Sequence, residues 1–192
     1  MDDQAIQFTN AGRRAEFTIP ANTTHAVFTT SQMSLQTDTI AGVITLEVTV
    51  SGSGASSNSD VGPTPVTLTR AIRIARSAPL IRSIALGKTA SGFQVQITGF
   101  STDRDVTEAD LHFNNSALGT VQTTNLTVNL TDAASQWFKT TSSAQFGSQF
   151  SLLLPFTIQG STDSIGSVSV QLKNSQGTSN TSSASFLSAA PV

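Results

Sequence analysis

The feature that most constrains this chain is a two-residue apolar period that recurs along most of its length. Ile44, Leu46, Val48 and Val50 alternate with Thr45, Glu47 and Thr49, and Phe93, Val95 and Ile97 alternate with Gln94, Gln96 and Thr98. Leu126, Val128 and Leu130 repeat the pattern, as do Phe150, Leu152, Leu154, Phe156 and Ile158, and then Val168, Val170 and Leu172. Successive side chains of a strand face opposite sides, so this period specifies sheets with one buried and one wet face. No stretch of ten or more residues carries a helical apolar period. Only Thr131-Asp132, followed by Ala133, Ala134, Trp137 and Phe138, predicts a short capped helical turn. The expected class is all-β.

Shorter strands fill the remainder. Ile6 and Phe8, then Ala15, Phe17 and Ile19, then Ala26 and Phe28, then Met33 and Leu35 mark four before Gly42, where a bulge or a close backbone approach is expected. Ser51 to Pro65 is rich in Gly, Ser, Asn and Pro and predicts a long hairpin tip. The returning strand, Val66 to Ile74, places Arg70 in its apolar phase, which predicts a bulge or an exposed edge there. Beyond Pro79 about seven strands separated by turn signals fit a two-sheet sandwich of the immunoglobulin-like kind, with a jelly roll as the alternative.

Two units follow, residues 1–77 and residues 78–192. Each ends on a strong strand, a turn and a closing strand that runs into a similar word, Arg76-Ser77-Ala78-Pro79-Leu80 in one and Ser188-Ala189-Ala190-Pro191-Val192 in the other. The second unit has far more chain ahead of its closing hairpin than the first. The first is therefore expected to be a partial sandwich that lacks its opening strands, or else a smaller immunoglobulin-like sandwich of its own kind. A partial unit exposes an apolar edge, with Ile6, Phe8 and Phe17 as its candidate residues, and invites a strand from a neighbouring chain. Pro79 restricts Ala78 to extended backbone, which predicts a stiff connection.

Composition narrows the function classes. Net charge is −2, and five basic and six acidic residues lie on each side of the junction, so no basic face is available for nucleic acid or an anionic membrane. There is no Cys, which removes disulfides, thiolate catalysis and Cys-ligated metals. No apolar run approaches the roughly 20 residues of a membrane-spanning helix. The opening Met1-Asp2-Asp3-Gln4 is unlike a signal peptide, so export would depend on a signal supplied elsewhere.

Ala41-Gly42-Val43-Ile44-Thr45-Leu46 and the stretch Val170 to Asn180 (VQLKNSQGTSN) resemble the final hairpins of bacterial immunoglobulin-like domains, similar to IPT/TIG and other tandem repeats of large secreted or cell-surface proteins. The resemblance implies an extracellular or surface location and a stalk, scaffold or filament role without catalysis. It implies other copies of the chain or adjacent immunoglobulin-like domains as partners. It carries no universal functional motif.

Candidate chemistry is sparse. Asp103, Asp105, Glu108 and Asp110 are the one acidic cluster, and hard oxygen donors at this spacing suit Ca²⁺, although the DxDxDG loop with its distal Glu is absent. The plain alternative is a solvated loop. His25 and His112 are the only histidines, both on outward phases, and no Ser lies in a G-x-S-x-G elbow. Trp137-Phe138 is either a stacking platform for a glycan or, more in keeping with its apolar neighbours, part of the core. Lys88, Lys139 and Lys173 are the lysines available for an intramolecular isopeptide bond with an Asn, with no matching pattern around them. The leading expectation is a non-enzymatic structural module. A glycan- or host-protein-binding adhesin domain comes second, and an accessory module of a secreted hydrolase third.

Overall fold

The computed structural model describes residues 6–9, 12–30, 33–37, 40–51 and 65–186. The expected hairpin tip and the C-terminal copy of the junction word lie outside the described residues.

The second unit is built from β7 (Leu80–Thr89), β8 (Gly92–Phe100), β9 (Glu108–Asn115), β10 (Asn125–Asn129), β11 (Gln149–Thr157), β12 (Ile165–Asn174), β13 (Gly177–Thr178) and β14 (Ser182–Ser185). Two short helices, α1 (Thr131–Lys139) and α2 (Thr141–Gln145), connect β10 to β11. The strands form two antiparallel sheets. One has the order β11-β8-β7, and the other runs β10-β9-β12, with β13 and β14 in succession along the far edge of β12. The inward residues of the two sheets make one core. Phe93, Val95 and Ile97 of β8 meet Ala109, Leu111 and Phe113 of β9 and Val168, Val170 and Leu172 of β12, all 6% exposed or less. Phe93 stacks on Phe156 at 5.0 Å between ring centroids and meets Phe113 and Phe186 edge-on at 5.9 Å. These offset and T-shaped geometries are the ones that the ring quadrupoles favour.

Close approach of the neighbouring strands β7 and β11 within its own sheet explains Gly99. A Cβ there would lie 2.6 Å from the Leu80 carbonyl oxygen and 2.8 Å from Cζ of Phe150. No such reason exists at Gly42, where a Cβ would meet nothing within 4 Å and the strand pairing is continuous. The expectation of a bulge or close approach at Gly42 is therefore wrong: the glycine simply begins a strand.

The first unit is a different kind of object. Its described residues form three two-stranded sheets: β1 (Gln7–Phe8) with β4 (Leu35–Gln36), β2 (Phe17–Thr18) with β3 (Val27–Phe28), and β5 (Gly42–Val50) with β6 (Val66–Ile74). β5 and β6 pair without interruption, from Gly42 opposite Ile74 to Val50 opposite Val66. Arg70 accordingly produces no bulge. It lies exposed on an edge strand, the other of the two expected outcomes. Among the described residues before the junction, Ile44 is the only buried apolar side chain.

The junction is pinned to the second unit. Ser77 N–H donates to Thr102 Oγ1 at 2.8 Å, and Asn174 Nδ2 donates to the Ser77 carbonyl at 3.0 Å. Ala41 N–H, at the base of β5, donates to the Thr102 carbonyl at 2.8 Å. Just beyond, Asn180 brackets Ile81: its Oδ1 accepts from Ile81 N–H at 2.9 Å, and its Nδ2 donates to the Ile81 carbonyl at 3.1 Å. One side-chain amide thus reproduces the two bonds of a strand pair where β7 bulges between Ile81 and Ser83.

Candidate interaction surface

Two places in the molecule hold chemistry that the folding of the second core does not use. One is an open groove in the first unit. The apolar phase of β5 (Ile44, Leu46, Val48, Val50) and of β6 (Val66, Leu68, Ile72, Ile74) falls on one face, because cross-strand partners in the observed register share a side. Opposite β5 stand Phe8 and the ring pair Phe17–Phe28, 5.6 Å apart. The space between is a groove of about 1340 Å³ lined further by Ile19 and Met33. Val48 remains 38% exposed, Val66 53% and Leu68 60%. The expected apolar edge is thus present at Phe8 and Phe17, both in the lining, whereas Ile6 is half-buried beside β1 and takes no part in it. Sequence reading named the N-terminal wall of this groove and missed the β5 wall, whose alternation gave no sign that the described residues leave its inner face partly uncovered.

The other is the loop from Ser101 to Val106 at the junction. Asp103 is 6% exposed and neither carboxylate oxygen has a hydrogen-bond partner; its one ionic neighbour is the exposed Arg76, with Nε at 3.8 Å. Arg104 adopts a positive φ of 54°, a strained conformation for a bulky residue. Its guanidinium holds that geometry by donating to the Phe138 carbonyl and, at 2.7 Å, to Ser143 Oγ, while lying over the Phe138 ring.

The four acidic residues do not converge. Asp103 faces Arg76, the Asp105 carbonyl accepts from Ser101 Oγ, and Glu108 and Asp110 flank Lys173 at 3.2 Å and 2.7 Å. Among the described residues no three His, Asp or Glu side chains are grouped to hold a metal ion. The sequence cluster fails as a Ca²⁺ site because residues two apart in the strand β9 share one face with Lys173, while the loop residues before it turn away. The Lys173 hydrogen bond holds the Asp110 carboxyl below the usual carboxylate range, and the same contact raises Lys173. These directions are those of an ion pair. Lys88 and Asp163 make a comparable exposed pair at 2.6 Å, which holds the Asp163 carboxyl low as well.

Trp137 is not a platform. It is half-buried on α1, in a small apolar recess with Val106, Leu130, Phe150 and Leu152, and its Nε1 is buried without a hydrogen-bond partner. The helix turns it inward because Ala134, Trp137 and Phe138 recur at three- and four-residue spacing on the face over β11. His112 is exposed on β9 with Nδ1 2.8 Å from Asn125 Oδ1, and His25 is exposed in the turn before β3. The structure brings neither histidine to a nucleophile.

Comparison with protein-family models, with curated proteins and with solved structures finds no match for this chain.

Proposed function

We propose that this chain is a non-enzymatic structural module, a spacer or filament subunit of an extracellular bacterial surface assembly built from immunoglobulin-like sandwiches. The observation that carries the reading is the placement of the chain path in the second unit. The chain enters at Ala78–Leu80 beside Asn174, Gly177 and Asn180, the C-terminal end of β12. It leaves at Phe186, after Ser185 has paired with Ser167 near the N-terminal end of β12. Seven residue steps of β12, roughly 23 Å, separate Asn174 from Ser167. A sandwich whose chain enters at one end and leaves at the other adds its full length to an array.

Tension between those points loads β7 and β14 in shear, because both run along the same side of the sandwich. Asn180 ties the start of β7 to the segment leading into β14, and Ser179 keeps that segment on β12. Ser179 N–H donates to the Leu172 carbonyl, and Leu172 N–H donates to Ser179 Oγ, so the ladder continues across the break between β13 and β14. The test is single-molecule force spectroscopy on the chain pulled from its termini. The expected result is one discrete event releasing about 35 nm for Ala78–Phe186, at roughly 0.36 nm per residue less the folded length. Gradual lengthening without a discrete event would overturn the reading.

A further inference from the structure

In the second unit β12 is hydrogen-bonded on both edges, to β9 on one side and to β13 and β14 on the other. β5 has the same alternation and the same place before a closing strand, yet among the described residues it pairs with β6 alone. Its other edge borders the open groove, whose lining takes Leu46 to Ser51 of β5. We propose that this edge is a dimerisation surface for a second copy of the chain, with β5 pairing antiparallel to β5 of the second copy and closing both grooves.

Area favours this occupant. In the groove lining Ile19, Phe28 and Val48 are 38–46% exposed, and Phe8, Phe17, Met33, Leu46 and Val50 are half-buried. At roughly 150–200 Å² for a fully exposed large apolar side chain, these leave about 400 Å² of apolar surface on one copy. A stable interface buries about 800 Å² per partner, and homodimer interfaces are about 65% apolar, which asks for about 520 Å². The groove alone supplies most of the apolar surface that one self-association needs.

The sequence of β5 is self-complementary in one register. With Leu46 opposite Leu46 of the second copy, Ile44 falls opposite Val48, Gly42 opposite Val50, Val43 opposite Thr49 and Thr45 opposite Glu47. Ile44, Leu46, Val48 and Val50 of both copies then continue one face across the two central strands, with Arg70 of each β6 beside Leu46 on that face, and the two Glu47 carboxylates each oppose a Thr. Sliding by one pair brings Glu47 opposite Glu47, a like-charge contact that sheets disfavour. Sliding the other way sets Val50 opposite Ile40, which lies outside the strand. Charge and burial select the same alignment.

The inference rests on the first unit being an unfilled half-sandwich and is independent of the in-line spacer reading, so force spectroscopy and the experiment here fail separately. The chain has no Cys, so a single introduced thiol reports one contact. Sedimentation of the intact chain is expected to give twice its 20.0 kDa at tens of micromolar. Leu46→Cys is expected to oxidise to a covalent dimer at least tenfold faster than Thr69→Cys on the opposite edge of the hairpin. Leu46→Glu is expected to sediment as a monomer with Trp137 fluorescence unchanged, since Trp137 is packed against α1 and β11 of the other unit. A monomer at 0.5 mM overturns the proposal. So does preferential crosslinking through Thr69, or a monomer that takes up an extended peptide from another polypeptide along β5.

Discussion

Replacing Asn180 with alanine isolates the contact that fastens the beginning of β7. Ile81 is 4% exposed, and its N–H and C=O are both satisfied by the Asn180 amide. Truncation leaves two backbone groups unpaired at a site where the removed side chain is itself exposed and water can partly replace it. The low end of the penalty for an unsatisfied buried group applies, about 1 kcal/mol each and about 2 kcal/mol in total. With a urea m-value of about 1.5 kcal/mol/M, the midpoint for the second unit should fall by about 1.3 M at constant m. Trp137, the only tryptophan, supplies the signal. Asn180→Asp sharpens the test. Its carboxylate still accepts from Ile81 N–H but sets a second anionic oxygen against the Ile81 carbonyl. Protonation turns that oxygen into a donor, so the deficit of this variant should shrink as pH falls through the carboxylate range. An Asn180→Ala midpoint within 0.3 M of the parent (about 0.5 kcal/mol at that slope) would refute the claim that this amide stands in for a strand pair. An Asn180→Asp variant with no pH-dependent recovery would refute the donor half of it.

Further outcomes follow from other contacts. Phe93→Ala removes the ring shared by Phe113, Phe156 and Phe186 from a fully packed core and should cost about 3–5 kcal/mol in urea unfolding. Gly99→Ala forces a Cβ into the Leu80 carbonyl and should destabilise by about 1–3 kcal/mol with m unchanged, in contrast to a near-neutral Gly42→Ala. Asp110 is lowered by Lys173, so its contribution is present above the unfolded carboxylate value and fades as pH drops below about 4. Lys173 is raised, so its contribution is present below about pH 10.4 and fades as pH rises through its folded value. In Lys173→Met, carboxyl NMR titration should show Asp110 moving back up toward the ordinary range. An unmoved Asp110 would contradict the assignment of cause.

The strands of the second unit were legible because each inward face is filled by large apolar residues at strict two-residue spacing: Phe93, Val95 and Ile97, then Val168, Val170 and Leu172. The short helix before β11 was legible from Ala133, Ala134, Trp137 and Phe138. Other features depend on what stands next to a residue in space, which alternation does not encode. Asn180 reads as a turn residue, and nothing local shows that its amide meets Ile81, 99 positions away. The acidic run reads as one cluster because spacing ignores direction: Glu108 and Asp110 lie in a strand beside Lys173, whereas Asp103 sits in the preceding loop beside Arg76. Leu46, Val48 and Val50 have the pattern of a buried face, and the sequence carries no mark that their cover is incomplete.

The contrast between β5 and β12 argues that neighbours, more than strand pattern, decide what each part of this chain does. β12 is saturated: both edges are paired and Val168, Val170 and Leu172 are at most 1% exposed. An element in that state has no free edge to offer a partner. β5 presents the same alternation with one edge open and with Val48 and its cross-strand neighbour Leu68 exposed. A two-stranded hairpin is marginal alone in water, so its stability must come from whatever covers that face. Ala41 fixes the base of this hairpin to Thr102, and Ser77 fixes the chain beyond it to Thr102 and Asn174. Contact made at the open edge of β5 is thereby held against the end of the saturated sandwich through bonds to its backbone and polar side chains. On the proposed reading, association and load-bearing reside in adjacent units of one chain, joined by Thr102.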